Sequence, residues 1–135
     1  MYTDFNKLTG CDTEQKKYLF WTCGGITVGL ENMRNQMRKF GKLTEQINAD
    51  LYLVVFPWPD TLNFGQTEFS WENYAQELCK ISSCRKVINL FPKFKKIKST
   101  KSDWLEYLYL PNDIHFTKEG SEIVANKILK EAFNY

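Results

Sequence analysis

The sequence predicts an α/β fold: a parallel sheet between layers of helices, three layers in all, incomplete on its N-terminal side. Three observations carry this expectation. Residues 51–56 are a continuous apolar run rather than an alternating one, as a strand covered on both faces is, and residues 87–91 read as a second short buried strand. A helical repeat lies between them, so the two strands are joined by a crossover and run parallel. A further helical repeat precedes the first strand and another follows the second, which gives the order helix, strand, helix, strand, loop, helix.

Residues 1–17 are polar and without period, and residues 1–23 read as an irregular arm. Tyr18, Leu19, Phe20 and Trp21 offer a weak third strand, and Gly24 and Gly25 break the chain after them. Ile26, Leu30, Met33, Met37, Phe40 and Ile47 then recur at helical steps, which predicts a long helix burying that face. Arg34, Lys39, Lys42 and Glu45 fall elsewhere around it. Asn48, Ala49 and Asp50 end the helix, and the first strand stops at Pro57 and Pro59, since proline cannot donate to a ladder.

A loop is expected as far as Phe69. Ser70 is placed to cap a second helix, which turns Trp71, Tyr74, Ala75, Leu78 and Ile81 to one side. The second strand, 87–91, is stopped by Pro92. Lys93, Lys95, Lys96, Lys98 and Lys101 make a basic run in which Phe94 and Ile97 stand at helical spacing. That spacing favours a solvated amphipathic turn or helix over a phosphate-binding patch. Residues 104–110 are aromatic and are expected to pack beneath the loop after them. The last helix spans 118–133 and turns Ile123, Val124, Ile128, Leu129 and Ala132 inward.

Two strands are too few for an independent doubly wound sheet. A strand edge is therefore left for a missing N-terminal segment or a partner to cover.

Composition narrows the function classes. With 135 residues and 43% hydrophobic content, the chain supports one domain with a modest core. A net charge of +2 gives no general reason to expect nucleic acid or an anionic membrane as partner. Asp4, Asp12 and Glu14 occupy the region where a secretory signal would be positive. The apolar run 18–30 is interrupted and shorter than the roughly 18 residues of a membrane span. The four cysteines, Cys11, Cys23, Cys79 and Cys84, have unrelated spacings and only one histidine accompanies them, so neither metal nor cofactor is expected. Cys79 and Cys84 are close enough in sequence to form a small disulfide. The reading preferred here is two reduced, buried thiols.

In open parallel sheets ligands bind beyond the carboxyl ends of the strands. Two loops hold that position: Pro57, Trp58, Pro59 and Asp60 after the first strand, and Pro111, Asn112, Asp113, Ile114 and His115 before the last helix. His115 is the sole imidazole, and a general base needs a carboxylate to fix its ring and proton. Asp113, two residues away, is the candidate. Taken alone, the pair does not outweigh a plain turn at a helix start, since the spacing is common. Gly120 adds weight, because a glycine inside the first turns of a helix signals close packing or backbone approach. Trp58, Phe64, Phe69 and Trp71 form either a hydrophobic or sugar-stacking wall or a self-packed loop, with Trp58 and Asp60 nearest the site.

The segment Asn112-Asp113-Ile114-His115-Phe116-Thr117-Lys118-Glu119-Gly120 resembles the last block of the SGNH (GDSL-like) hydrolases. Val54-Val55-Phe56-Pro57-Trp58-Pro59 and the helix ahead of it, with Gly29-Leu30 near its start, look like a subgroup of that family. The resemblance covers residues 24–135 of a single domain and implies the flavodoxin-like sheet of that family. It also implies acyl-ester chemistry, by an esterase or O-acyltransferase, with His115 as base and Asp113 as orienter. The substrate implied is an acyl ester or acylated carbohydrate.

The sequence departs from the family at three points. Asn112 stands where many members carry the aspartate, and neither a Gly-Asp-Ser block nor a Gly-x-Asn-Asp block is present. Ser70, Ser82, Ser83, Ser99, Ser102 and Ser121 all lack the tight glycine turn of a nucleophile. The expected function is thus a hydrolase-like domain inactive by itself. A non-catalytic binding module derived from a hydrolase is the alternative.

Overall fold

The computed structural model describes residues 25–66 and 69–133. It is mixed α/β, mostly helical around a small parallel sheet. In chain order the elements are α1 (Gly25–Gln46), β1 (Tyr52–Val55), α2 (Pro59–Phe64), α3 (Trp71–Ile81), β2 (Lys86–Asn89), α4 (Phe91–Thr100), α5 (Trp104–Leu108) and α6 (Lys118–Phe133). The weak strand expected at residues 18–21 lies outside the described residues, as do Cys11 and Cys23.

β1 and β2 pair in parallel with Tyr52 opposite Lys86 and Val55 opposite Asn89, as the crossover through α3 requires. Successive side chains alternate between faces. Leu53, Val55 and Val87 pack with Ala75 and Cys79 of α3. On the opposite face, Tyr52 donates its hydroxyl to the Ala132 carbonyl of α6 (3.4 Å), and the Phe56 ring meets Phe116 edge-on at 5.0 Å.

Local signals explain most element ends. The Ser70 hydroxyl accepts the Asn73 N–H at 3.2 Å and opens α3. Pro59 and Pro92 sit in the first turns of α2 and α4, where a missing N–H leaves no helical bond unmade. That corrects two expectations. Phe91 belongs to α4 rather than to the second strand, and the supposed loop after Pro59 begins as a helix.

The Asn89 side chain holds the junction between β2 and α4. Its carbonyl oxygen accepts the Phe91 N–H (2.9 Å) and its amide donates to Glu72 (2.7 Å). Burial works against the charge of Glu72. Hydrogen bonds from Asn89, Lys95 and Gln66 outweigh that and hold its carboxyl below the usual carboxylate range.

The main core lies on the C-terminal side. Leu62, Leu90, Phe94, Ile97, Leu108 and Tyr109 are buried together, with Trp104, Phe116, Ile123 and Val124 against them. Each large apolar side chain buried there contributes about 1.5–3 kcal/mol. The basic run is the outer face of α4, since Phe94 and Ile97 are buried beneath it. Lys95 pairs with Glu72, Lys98 bonds the Leu62 carbonyl at 2.7 Å, and the Lys101 ammonium lies 4.2 Å from the centre of the Tyr107 ring. Leu129 of α6, expected inside, is exposed.

The long N-terminal helix is present, but rotated from its expected face. Its seam with α3 runs through Leu30, Arg34, Met37, Gly41 and Thr44, spaced by three and four residues. Tyr74 donates to the Leu30 carbonyl (2.6 Å), Arg34 pairs with Glu77 (2.5 Å), and Gly41 lies against the Ser82 backbone. Met33, Phe40 and Ile47, assigned to the buried face by the sequence, are exposed. The reason is steric. A Cβ at Gly41 would stand 2.2 Å from the Ser82 carbonyl oxygen, so the closest approach of the two helices falls on a residue that no hydrophobic count includes.

Cys79 and Cys84 are joined by a disulfide across the turn from α3 to β2, with their Cα atoms 4.7 Å apart. This replaces the preferred expectation of two reduced thiols. A bend carrying Ser83 at φ 54° brings the two cysteines back to one another.

Candidate functional site

The two rim loops meet, as their positions after β1 and before α6 require. Between them lies an open groove of about 380 Å³. Trp58, Pro59 and Asp60 form one lip. Leu105, Glu106, Tyr109, Leu110, Pro111, Asn112, Asp113 and Ile114 form the other lip and the floor.

Tyr109 fixes the loops relative to each other. Its ring is 1% exposed and its hydroxyl donates to the Pro57 carbonyl at 2.7 Å, so the first loop is tied to the segment that leads into the second. Burial pushes the phenol well above its usual range, keeping it a neutral donor at any ordinary pH. The aromatic stretch was expected to pack beneath the loop, and it does. This tether, however, carries no motif by which a sequence would reveal it.

The second loop is a narrow excursion between two backbone-paired positions. Tyr109 bridges Phe116 in antiparallel fashion, and the Leu110 N–H donates to the His115 carbonyl at 2.9 Å. The Asp113 N–H donates to the Leu110 carbonyl (3.1 Å), with Pro111 and Asn112 at the corners and Asn112 at φ 57°. That is the residue pattern of a type II turn, in which the third position needs a positive φ and asparagine tolerates it. Asn112 is therefore a turn corner, and the residue facing the imidazole is Asp113.

Beyond the loop, Thr117 starts α6. Its hydroxyl donates to the Tyr107 carbonyl (2.6 Å) and accepts the Gly120 N–H (3.1 Å). Gly120 is where α6 touches the backbone beneath it, because a Cβ there would stand 2.3 Å from the Leu108 carbonyl oxygen. The close approach expected from the sequence is the observed one.

Asp113 and His115 are hydrogen-bonded, with His115 Nδ1 2.6 Å from Asp113 Oδ1. The same oxygen accepts the backbone N–H groups of Ile114 (2.6 Å) and His115 (3.2 Å). The carboxylate is thus held by its own loop before it meets the ring. These bonds, the one from the His115 side chain foremost, lower the Asp113 pKa below the usual carboxylate range. With Nδ1 engaged, Nε2 is the ring nitrogen left for a reacting group.

The imidazole is exposed, with 76% of its side-chain surface open. It adjoins the groove through Asp113 rather than lining it. Trp58 is 56% exposed on the facing lip, and Asp60 and Glu106 also line the groove, which makes its rim acidic. Of the other aromatics weighed with Trp58, Phe69 and Trp71 stack on each other and on Tyr74, while Phe64 points into solvent. Those three are not part of the groove.

Among the described residues, no serine hydroxyl bonds to His115. Ser70 caps α3, Ser82 donates to the Leu78 carbonyl, and Ser99 donates to the Lys96 carbonyl. Nor does any described group of acidic, histidine or cysteine side chains form a metal-binding cluster. No described helix is long and apolar enough to cross a membrane. No protein-family model, no curated protein and no solved structure matches the chain.

Proposed function

We propose that this chain carries the base and orienter of an SGNH-type ester hydrolase or O-acyltransferase site, and that the nucleophile comes from outside the described residues. The observation that supports this reading most is the 2.6 Å contact from Nδ1 of His115 to an Asp113 oxygen already fixed by two backbone N–H groups. A carboxylate immobilised in this way holds the ring in the Nδ1–H tautomer and favours the imidazolium once it forms.

The chemistry follows from that tautomer. A nucleophilic hydroxyl attacks the ester carbonyl while Nε2 takes its proton. The imidazolium then returns the proton to the leaving alkoxide as the C–O bond breaks. Water, or an acceptor alcohol, repeats the sequence on the acyl intermediate. The neighbouring groove, with Trp58 as an apolar wall and Asp60 and Glu106 along it, suits an uncharged acyl ester or acylated carbohydrate and disfavours an anion.

A second reading, a binding module without turnover, draws on the same exposed Trp58 and on the absence of a Gly-Asp-Ser block. Two measurements separate them. Ring-nitrogen NMR of the intact chain is expected to give the Nδ1–H tautomer, lost in Asp113→Ala; an Nε2–H tautomer in the parent chain sinks the catalytic proposal. The chain alone is expected to leave a short-chain nitrophenyl ester at background hydrolysis. Turnover that His115→Ala abolishes removes the binding-only reading.

A further inference from the structure

We infer that Thr117 is a positioning residue for His115: its hydroxyl sets where the imidazole stands relative to Asp113 by joining the end of α5 to the start of α6. Its part in catalysis rests on the ester chemistry proposed above, whereas the orientation itself follows from bonds between described residues.

The Asp113/His115 loop stands on two legs. Tyr107 to Leu110 rise out of α5, and His115 to Thr117 descend into α6. Between the legs run the Leu110 N–H to the His115 carbonyl (2.9 Å), the bridge from Tyr109 to Phe116, and the Thr117 N–H to the Leu108 carbonyl (3.0 Å). These rungs use backbone groups that nearly every residue carries. A ribbon this short does not fix its own register, and a slip of one residue turns each side chain to the opposite face. His115 would then leave Asp113.

Side chains must therefore hold the register, and the descending leg has two that could. Phe116 packs its ring against Phe56, Phe94 and Tyr109, with centroids 5.0, 5.6 and 5.5 Å apart. Such packing presses the leg onto the core, but apolar attraction has no direction. The Thr117 hydroxyl does have one. It donates to the Tyr107 carbonyl at 2.6 Å, and the Gly120 N–H donates to it at 3.1 Å.

Helix ends explain why this one group counts for so much. The last carbonyls of α5 and the first N–H groups of α6 find no partner inside their own helices. Thr117 serves both ends at once, through its N–H to Leu108 and its hydroxyl to Tyr107 and Gly120. Among the described residues, its bond to Tyr107 is the one side-chain hydrogen bond between the two legs. The branched Cβ limits the rotamers that the hydroxyl can adopt. His115 lies two residues ahead, on a segment pinned by Thr117 at one end and by the Leu110 bond at the other.

Thr117→Val tests this, because it keeps the branched shape and removes both hydroxyl bonds. In ring-nitrogen NMR of the full chain, the Nδ1–H tautomer of His115 is expected to give way to a mixture with Nε2–H. The Leu110 amide is expected to exchange at least about fivefold faster. Thr117→Ser, which restores the hydroxyl, is expected to return both readings to those of the parent chain. An effect confined to the Gly120 amide overturns the proposal, because Thr117 is then a helix cap and nothing more. Failure of Thr117→Ser to rescue overturns it as well. Should Thr117→Val not fold, the parent chain decides: three-bond couplings must give Thr117 a single side-chain rotamer, and averaging between rotamers is fatal. An Nε2–H tautomer in the parent chain sinks the ester reading instead, and Leu110 exchange in the variants then decides the positioning role.

Discussion

Glycine serves the two ends of this molecule in the same way, yet the two ends are built differently. On the N-terminal side Gly41 lets α1 settle on the Ser82 backbone, while Met33, Phe40, Leu43 and Ile47 beside it stay exposed. On the C-terminal side Gly120 lets α6 settle on the Leu108 carbonyl, and around it Leu90, Phe94 and Leu108 are completely buried. One contact is among several ties along a helix whose neighbouring stripe is exposed, and the other is a single fastening in a filled core. Backbone approach alone therefore does not make a core. What differs is how many apolar side chains close around it.

The largest expected effect tests the filled side. Phe94→Ala removes a fully buried ring and is expected to lower stability by about 3–5 kcal/mol, read from the midpoint of urea unfolding. A loss under about 1 kcal/mol would mean that the C-terminal core is no better packed than the N-terminal side.

The two glycines sharpen the contrast directly. Helix propensity alone predicts that Gly→Ala at either position stabilises by about 1 kcal/mol. The backbone oxygens that face both Cβ positions reverse the sign, and each substitution is expected to destabilise by about 1–3 kcal/mol. Their consequences for the site part company. Gly120→Ala shifts α6 against the segment that carries Asp113 and His115, and is expected to change the ring-nitrogen signals of His115. Gly41→Ala is expected to leave them as they are.

The smallest effect is a pH dependence confined to the loop. The folded Asp113 pKa lies below its unfolded value, so the stabilisation it provides is complete above the ordinary carboxylate range. It is lost as pH falls through the lowered folded value. Acid titration followed by NMR is expected to release the Ile114 and His115 amides from Asp113 without unfolding the core. Asp113→Asn is expected to abolish that transition, while amides in α4 stay protected throughout.

Much of this arrangement was legible in the sequence because local chemistry dictated it. Ser70 before Trp71 announced a capped helix, the apolar residues around Val54 and Ile88 announced parallel strands though Val54 is exposed rather than covered, and Gly120 announced close contact. Asp113 and His115 were legible as a pair through Gly120 and the resemblance around them, because a two-residue separation by itself fits an ordinary turn at a helix start. The face of α1 was not. Leu30 and Met37 share that helix with a second stripe at Met33, Phe40 and Ile47, and periodicity cannot rank two stripes when a glycine decides the contact. The short helix beginning at Pro59 is hidden in the sequence because a proline after an apolar run is equally a strand stop and a helix start. The bond from Tyr109 to Pro57 joins residues 52 apart in sequence, and no local pattern encodes a partner at that distance.

That last bond bears on how the groove accommodates a guest. A phenol fastened beneath both lips means that widening the cleft first requires breaking a buried hydrogen bond, at about 1–3 kcal/mol for the orphaned carbonyl. In the proposed ester site this tether is expected to keep the walls in place and leave adjustment to the exposed side chain of Trp58.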